Sequence, residues 1–407
     1  MLLAATNMQG CYADDLSLLG DAKKSDEKRQ RNRRRLKKST KSTKSDLVNS
    51  TPDEDNGEVV QVGKDIPRTE DDIWKVNMVL MSDDGLRFAD SNNVYQYDES
   101  SQSWESRSPD SLAGYSILGM SSDGQDVLVG KLSDSFMSLE LRTFDEVGDV
   151  WKFAGGGNVS YTPLKALLGG DIITENYAKL SHNGRRMIVT DGSGIRVFEI
   201  SSSPIWVQIG ETIASGVSRE IAINDDGSQI CFSTDYVDDK YGPGAVVSVY
   251  RLLVTDRSGG SWKQIGGYLA DGGYYGWYGI NYDMNSSGNR IIVGYSDGSG
   301  RYYSGDAKVF EYSEEIYEWK QVANDLGGGT HVKMSADGKT VAVGRHQDFE
   351  YLWSGPDGTC CNTYVKIYNI WEGDGELYWE KVATITSGPR YYSVMRSLRQ
   401  PHFIVLL

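Results

Sequence analysis

The sequence is poor in cysteine, histidine, proline and long apolar runs, and each shortage excludes a class of protein. Four cysteines in 407 residues are too few for a disulfide scaffold. The four histidines lie far apart, without the spacing of metal ligands, so we predict no metal site and no cofactor. No apolar run reaches the roughly 18 residues that a membrane-spanning helix needs. Long stretches of helical periodicity are also absent, which with 46 glycines predicts an all-β protein with many turns.

Charge is distributed unevenly along the chain. Residues 23–44 contain twelve lysines and arginines against two acidic residues, so within the total of −15 the rest of the chain has a net charge of about −25. A segment this basic and this poor in apolar residues cannot bury a core. We therefore expect residues 1–57 to be disordered and residues 58–407 to fold. The acidic body argues against nucleic acid as a partner, because phosphate binding needs an extended positive surface.

A turn motif, Ser-x-Asp-Gly followed by an apolar run, returns along the chain. "MSADGKTVAVG", from Met334 to Gly344, is one copy, and "LSHNGRRMIVT" and "MNSSGNRIIVG" are others. Asp-Gly and Asn-Gly favour the positive φ of a tight hairpin, and the flanking apolar residues alternate with period two. Each copy therefore predicts two strands joined by a turn with positive φ at its glycine. The six turn glycines are Gly85, Gly124, Gly184, Gly227, Gly288 and Gly338.

A tryptophan motif alternates with the turn motif, as in "WVQIG", "WKQIG" and "WKQVA". Its tryptophans are Trp206, Trp262, Trp319 and Trp379, with weaker copies at Trp104 and Trp151. A further apolar run, such as "VVSVYRL", lies between each turn and the next tryptophan, which gives four strands, A to D, in each repeat. Such repeats are typical of β-propeller blades, and we expect the tryptophans to pack between blades.

The termini of the repeat region suggest how a propeller could close. Dividing residues 58–407 into repeats of roughly 50 residues gives seven, so we predict a seven-bladed β-propeller whose last blade is incomplete. Val59–Ile66 resembles a D strand without its own A, B and C strands, and Tyr391–Ser397 resembles an A strand. We expect these two segments to share one blade.

The full pattern resembles the WD40-like and FG-GAP-like propeller repeats of uncharacterised algal proteins. It reads W-x-Q-[IV]-G, S-x-D-G-x-x-[VI]-x-V-G and G-x-V-x-V-[YF] over residues 58–397. The resemblance implies the propeller fold, and propellers serve unrelated functions. Integrin-type FG-GAP repeats bind calcium through alternating Asp ligands, whereas "NDDG" and "SADG" offer too few oxygen atoms at that spacing. The Trp-Asp ending and the Gly-His pair of true WD40 repeats do not occur.

Aromatic residues are concentrated in the connections between D and A strands and between B and C strands. In an antiparallel four-stranded blade both connections lie at the same end, so we expect the clusters to share one face. Tyrosine and tryptophan offer a flat apolar surface with one polar group, which suits glycans and protein partners. The predicted ligand-binding residues are Tyr274, Tyr275, Trp277, Tyr278, Tyr302, Tyr303, Tyr351 and Trp353.

The sequence predicts a monomeric, non-enzymatic binding or scaffold protein that recognises a protein or glycan through this face. Three alternatives stay open at this stage. The aromatic residues could cap their own loops, the face could belong to a glycan hydrolase or lyase, or the basic segment could direct a nuclear interaction protein.

No catalytic residue is predicted. Gly294–Gly298 matches the G-x-S-x-G motif of α/β-hydrolases, but the strand-rich sequence after it contains no helix. His182 occupies the second position of a turn motif, where we expect a surface residue. The sequence leaves the compartment open: a protein whose secretory signal is missing from the N-terminus would be secreted or at the cell surface, and otherwise it would be intracellular or nuclear.

Overall fold

The computed structural model describes residues 80–90, 92–107, 112–132, 136–160, 178–191, 194–213, 221–238, 242–253, 260–269, 281–296, 305–327, 331–345, 364–373 and 375–386. The basic segment at 23–44 and the segments Val59–Ile66 and Tyr391–Ser397 lie outside these residues. No helix in the described part of the chain is long and apolar enough to cross a membrane.

Six antiparallel sheets, here blades 1 to 6, follow one another along the described residues. Blade 1 contains β1 (Leu80–Met81), β2 (Arg87–Ala89), β3 (Val94–Asp98) and β4 (Ser103–Ser106). Blade 2 contains β5 (Ser116–Met120), β6 (Asp126–Leu132), β7 (Phe136–Asp145) and β8 (Val150–Ser160). Blade 3 contains β9 (Ala178–Leu180), β10 (Arg186–Asp191), β11 (Gly194–Ile200) and β12 (Trp206–Gln208).

The other three blades repeat this order of strands. Blade 4 contains β13 (Ile221–Ile223), β14 (Gln229–Asp238), β15 (Gly242–Leu253) and β16 (Ser261–Gln264). Blade 5 contains β17 (Asn281–Met284), β18 (Arg290–Ser296), β19 (Gly305–Ser313) and β20 (Glu318–Gln321), with the short β21 (Leu326–Gly327) also pairing with β19. Blade 6 contains β22 (His331–Met334), β23 (Thr340–Arg345), β24 (Tyr364–Gly373) and β25 (Glu376–Thr386).

The predicted count of seven blades is wrong, because the described residues form a β-propeller of six blades. Each blade takes its four main strands from one continuous stretch of sequence, so none of the six needs a strand from the opposite terminus. The average repeat length was a poor guide to the number of blades, because the connections between strands vary in length. Only residues 192–193 separate β10 from β11, whereas residues 346–363 separate β23 from β24.

The turns between A and B strands confirm the hairpin prediction. All six turn glycines have positive φ, including +73° at Gly184 and +70° at Gly338. In blade 6, the Ser335 hydroxyl accepts the N–H of Thr340 at 2.9 Å and donates to Asp337 Oδ1 at 2.6 Å. The same carboxylate oxygen accepts the N–H of Lys339 at 3.0 Å. The serine and aspartate of the motif therefore hold the loop that its glycine allows.

The A–B turns of successive blades are hydrogen-bonded to one another through the second residue of the motif. The N–H of Asp83 donates to the carbonyl of Ser122, and the N–H of Ser122 donates to the carbonyl of His182, each at 2.7 Å. The series continues from the N–H of Asn183, the third residue of its motif, to the carbonyl of Asp225, and then from the N–H of Asp225 to Ser286 and from that of Ser286 to Ala336. Because these bonds use only the backbone, the residue type at this position can differ from blade to blade.

The core lies between blades. Five clusters of buried apolar residues each join two successive blades, as where Val247 and Val249 of blade 4 meet Tyr282 and Ile291 of blade 5. This arrangement follows from the B strands, such as β23, which are buried on both faces, whereas C strands such as β7 alternate between buried and more exposed residues.

The tryptophan motif is a contact between blades, as expected. Trp319 donates its indole N–H to the carbonyl of Ile265, which belongs to the motif of the preceding blade, at 2.9 Å. Trp262 and Trp379 make the same bond to Ile209 and Val322, at 3.0 and 3.1 Å. The recurrence of W-x-Q-[IV]-G within this chain therefore reflects packing, since the apolar residue of one copy is the acceptor for the tryptophan of the next.

The glycine of the tryptophan motif is part of the same contact. Gly266 has φ +66°, and a Cβ there would lie 2.4 Å from Cδ1 of Trp319. Blade 5 places Ala323 at the equivalent position, with φ +61°. A left-handed backbone is unfavourable for a residue with a Cβ, so Ala323 is a strained copy of the motif.

Candidate functional site

The eight aromatic residues predicted to bind a ligand all lie outside the described residues. Tyr274, Tyr275, Trp277 and Tyr278 fall in segment 270–280, Tyr302 and Tyr303 in segment 297–304, and Tyr351 and Trp353 in segment 346–363. The strands on which the second and third segments begin and end are described, and so is β17, into which the first segment leads from Leu269 of blade 4.

The three segments attach to one end of blades 5 and 6. Ser296 and Gly305, which flank the second segment, are paired across β18 and β19. Arg345 and Tyr364, which flank the third, are paired across β23 and β24. The first segment leads into Asn281, which begins β17 and pairs near the end of β18. Because neighbouring strands are antiparallel, these attachment points share one end, opposite the A–B turns; we call it the loop end.

Polar side chains occupy the A strands of the same two blades. The A strands of successive blades contact one another, so they form the inner ring of the propeller. Residues in β17 and β22 alternate between half-buried polar and buried apolar, and the polar ones are Asn281, Asp283, His331 and Lys333. By contrast, all three residues of β13 are apolar and buried.

These polar side chains connect blade 5 to blade 6. Asn281 Oδ1 accepts the N–H of Val332 at 2.9 Å, and Asp283 Oδ2 accepts the N–H of Met334 at 3.0 Å. The ammonium group of Lys333 lies 3.8 Å from Asp283 Oδ1. The two blades that carry the aromatic-rich segments are therefore tied together along their inner strands.

Sequence reasoning missed this inner cluster, although a signal was present. "NYDM" and "HVKM" alternate polar and apolar residues at the place where "IAI" in blade 4 is apolar throughout. Half-buried polar residues at such positions need partners, and here the partners are backbone groups of the next blade. Among the described residues, no group of three or more His, Cys, Asp or Glu side chains is placed to hold a metal ion.

The expectation for His182 is wrong, because its side chain is buried with only 5% exposed. Its Nε2 lies 2.8 Å from Oδ1 of Asp83, which occupies the same motif position in blade 1. The hydrogen-bonded series of turns brings these positions close together, although they lie two blades apart. The pair links blade 1 to blade 3 at the A–B turn end, away from the loop end.

Two aspartates at the A–B turns have pKa values shifted in opposite directions. Burial raises the pKa of Asp126, and its hydrogen bond from the Thr143 hydroxyl only partly offsets that effect. At Asp123, burial also acts to raise the pKa, but hydrogen bonds from Ser121 and from the N–H of Gln125 outweigh it and leave the pKa lowered. The surroundings of Asp126 therefore oppose its ionised form, whereas those of Asp123 stabilise the ionised form.

Comparisons with known proteins give likenesses of fold only. The chain matches no protein-family model and no curated protein sequence. It is similar to the crystal structure of a putative 6-phosphogluconolactonase from Bacteroides uniformis, with 14% identity and a TM-score of 0.45 over 76% of this chain and 88% of the other.

It is also similar to hydrazine synthase from Kuenenia stuttgartiensis, with 14% identity and a TM-score of 0.41 over 76% of this chain and 79% of that one. A protein from Lactobacillus plantarum shares 9% identity, with a TM-score of 0.42 over 77% of this chain and 90% of its own. At these values no activity is transferred to this chain, which is a β-propeller without an assigned repeat family.

Proposed function

We propose that this propeller is a non-enzymatic binding protein that recognises a protein or glycan ligand at the loop end of blades 5 and 6. The observation that supports the proposal is the attachment of three aromatic-rich segments to one end of two adjacent blades. Ser296, Gly305, Arg345 and Tyr364 mark that end, and Asn281 begins the strand that leads away from it.

The loop end combines aromatic-rich segments with a base of inner strands that are hydrogen-bonded to each other. Tyrosine and tryptophan stack on sugar rings and are common in protein interfaces, because each combines a large apolar face with one polar group. The bonds from Val332 to Asn281 and from Met334 to Asp283 hold the inner strands of the two blades together. A fixed base lowers the entropic cost of binding for the loops that it carries.

The described residues favour binding over the glycan hydrolase alternative. Most glycosidases use two carboxylates about 5 to 9.5 Å apart on either side of the scissile bond. Asp83 and His182 supply one carboxylate and one imidazole, and they lie at the A–B turn end. The described part of the loop end offers Asp283, whose carboxylate is already engaged by Met334 and Lys333, and the exposed Asp306 at the start of β19. Asp306 lies two strands away from Asp283 and three residues along, which puts their Cα atoms roughly 14 Å apart.

The full chain, probed on glycan and protein arrays, would identify the ligand. Trp277→Ala and Trp353→Ala should each weaken binding by about tenfold, which is the size of effect expected of an aromatic hot spot. Trp371→Ala is the matched control, because Trp371 is 49% exposed but lies near the C–D turn, at the other end of blade 6.

Melting curves decide between a ligand-binding and a structural role. If both loop variants bind as well as the parent protein but melt at lower temperature, the aromatic residues cap their own loops and the proposal fails. Equal loss of binding in Trp371→Ala would also contradict it, since the site would then not be confined to the loop end.

A further inference from the structure

The C–D hairpins of blades 5 and 6 expose an unusual amount of apolar surface. Tyr317 is 70% exposed, Tyr378 45% and Leu377 42%, and Ile316 and Trp371 are exposed as well. An open groove of about 770 Å³ lies between these hairpins, and we call it the hairpin groove. Its apolar lining includes Tyr312, Val322, Ala323, Leu377 and Tyr378.

The backbone of Tyr317 indicates that its side chain is there for a reason other than folding. It has φ +59°, and its N–H donates to the carbonyl of Ser313 at 2.8 Å to close the turn. The equivalent hairpins of blades 1 and 2 use the polar residues Gln102 and Asp149, with φ +50° and +49°. A bulky residue in this conformation is strained, and strain of this kind is concentrated at functional sites. Tyr317 is mostly exposed, so packing within the described residues does not compensate it.

The two hairpins are also acidic. Exposed or partly exposed glutamates stand on both of them: Glu314, Glu315, Glu318, Glu372, Glu376 and Glu380. Glu314 is paired with Arg251 at 2.6 Å, and Lys320 and Lys381 are the lysines on β20 and β25. Of these glutamates Glu376 lines the groove, together with Lys320 and with Glu311, which is paired with Arg290, so most of the negative charge lies on the hairpins around the groove. That charge beside apolar surface fits a partner that carries basic and apolar side chains together.

The geometry of the strands favours an extended partner. β20 is the fourth strand of the main path of blade 5 and β25 is the last strand of blade 6, so among the described residues each is an edge strand of its sheet. Both strands contribute residues to the lining of the groove. An extended peptide places alternate side chains on opposite faces and can add its backbone to such an edge. Apolar side chains would then enter the hairpin groove while the basic ones face the glutamates.

We propose that the hairpin groove binds an extended segment of a partner protein in which apolar and basic residues alternate. This surface lies at the C–D turn end and is therefore separate from the loop end. Leu377 and Tyr378 line the groove and supply apolar contacts, and Glu376 in the same lining supplies charge. Glu315 and Tyr317, on the turn that follows Ser313, extend the charged and apolar surface beyond the lining. Trp277 and Trp353 take no part in this interaction.

Fluorescence anisotropy with the full chain and labelled model peptides tests the proposal. The probe is a short peptide of alternating Leu and Lys, and the controls are peptides of alternating Ser and Lys and of alternating Leu and Glu. The Leu/Lys peptide should bind, and each control should bind at least about tenfold more weakly. Trp277→Ala should leave binding of the Leu/Lys peptide unchanged, which separates this site from the loop end.

Substitutions locate the site. Tyr378→Ser and Leu377→Ser should each weaken binding of the Leu/Lys peptide by about tenfold. Val147→Ser is the matched control, because Val147 is 98% exposed on the C–D hairpin of blade 2. Tyr317→Asn should also weaken binding while the melting temperature stays the same or rises, since asparagine tolerates positive φ better than tyrosine. A purely structural role for Tyr317 predicts unchanged binding.

Several results would overturn the proposal. They are no binding of the Leu/Lys peptide, equal binding of the Ser/Lys or the Leu/Glu peptide, equal loss in Val147→Ser, and binding that none of the groove variants changes. Sedimentation of the parent protein and of Tyr378→Ser tests whether a second copy of this chain occupies the groove instead. If the parent self-associates and the variant does not, the groove pairs copies of this chain and the peptide proposal is wrong.

Discussion

Replacing Gly266 by alanine tests the contact between blades most directly. The added Cβ would lie 2.4 Å from Cδ1 of Trp319, which is too close for real carbon atoms, so the indole ring must move. That movement puts at risk the 2.9 Å bond from the indole N–H to the Ile265 carbonyl. The substitution therefore acts on backbone conformation, packing and hydrogen bonding together.

The size of the effect follows from these contributions. Alanine at φ +66° costs about 1 to 2 kcal/mol, and overpacking in a filled contact costs about 1 to 3 kcal/mol. Losing a typical hydrogen bond adds about 1 kcal/mol, although this overlaps with the packing cost. We expect a loss of roughly 3 kcal/mol in the free energy of unfolding, which lowers the melting temperature of a propeller of this size by roughly 4 to 5 °C.

Two further substitutions serve as controls for Gly266→Ala. A Cβ added at Gly267 would meet no atom within 4 Å, so Gly267→Ala should melt like the parent. Ala323→Gly removes the strain of φ +61° at the equivalent motif position and should stabilise the protein by up to about 1 kcal/mol after the entropic cost of glycine. Thermal and urea unfolding, followed by tryptophan fluorescence, measure all three variants. The reasoning is refuted if Gly266→Ala melts like the parent, or if Gly267→Ala loses as much stability.

Two other predictions concern the A–B turns. Ser335→Ala leaves the buried N–H of Thr340 without its 2.9 Å acceptor and should lower the free energy of unfolding, measured in urea, by about 1 to 3 kcal/mol. Lys339→Ala, at an exposed position of the same turn, should lower it little. Equal losses in the two variants would show that the hydroxyl bond is unimportant. Asp126→Asn should melt higher than the parent at pH 7, because the folded protein raises the pKa of this carboxyl above its ordinary value of 3.8 and so opposes its ionised form. The difference should shrink as the pH falls through the raised pKa towards 3.8, because the parent carboxyl then takes up its proton in the folded state; a difference that is constant with pH would contradict this assignment.

Sequence and structure agree best where the chemistry is local. The positive φ of Gly184 and Gly338 follows from their place after Asn183 and Asp337, because only a few neighbouring residues decide a turn. The position of Trp319 between blades also followed from the repeat. From the sequence, the candidate site was predicted as a set of aromatic segments. The structure shows that the strands flanking the second and third of these segments share one end of blades 5 and 6.

The sequence by itself determined the four-stranded repeat and the turns, because alternation and glycine act within one repeat. The regular return of tryptophan also predicted a contact between blades, although not its partner atoms. Only the tertiary structure decided which repeats meet, since those contacts join residues far apart in the chain. It set the number of blades at six in the described part of the chain, brought His182 to Asp83, and placed Trp319 against Gly266. It also showed that Asn281 and Asp283 bond to the next blade and that Tyr317 has positive φ. The alternation in "NYDM" and "HVKM" marks the inner strands as partly polar, but the partner of each residue depends on how one blade is turned against its neighbour.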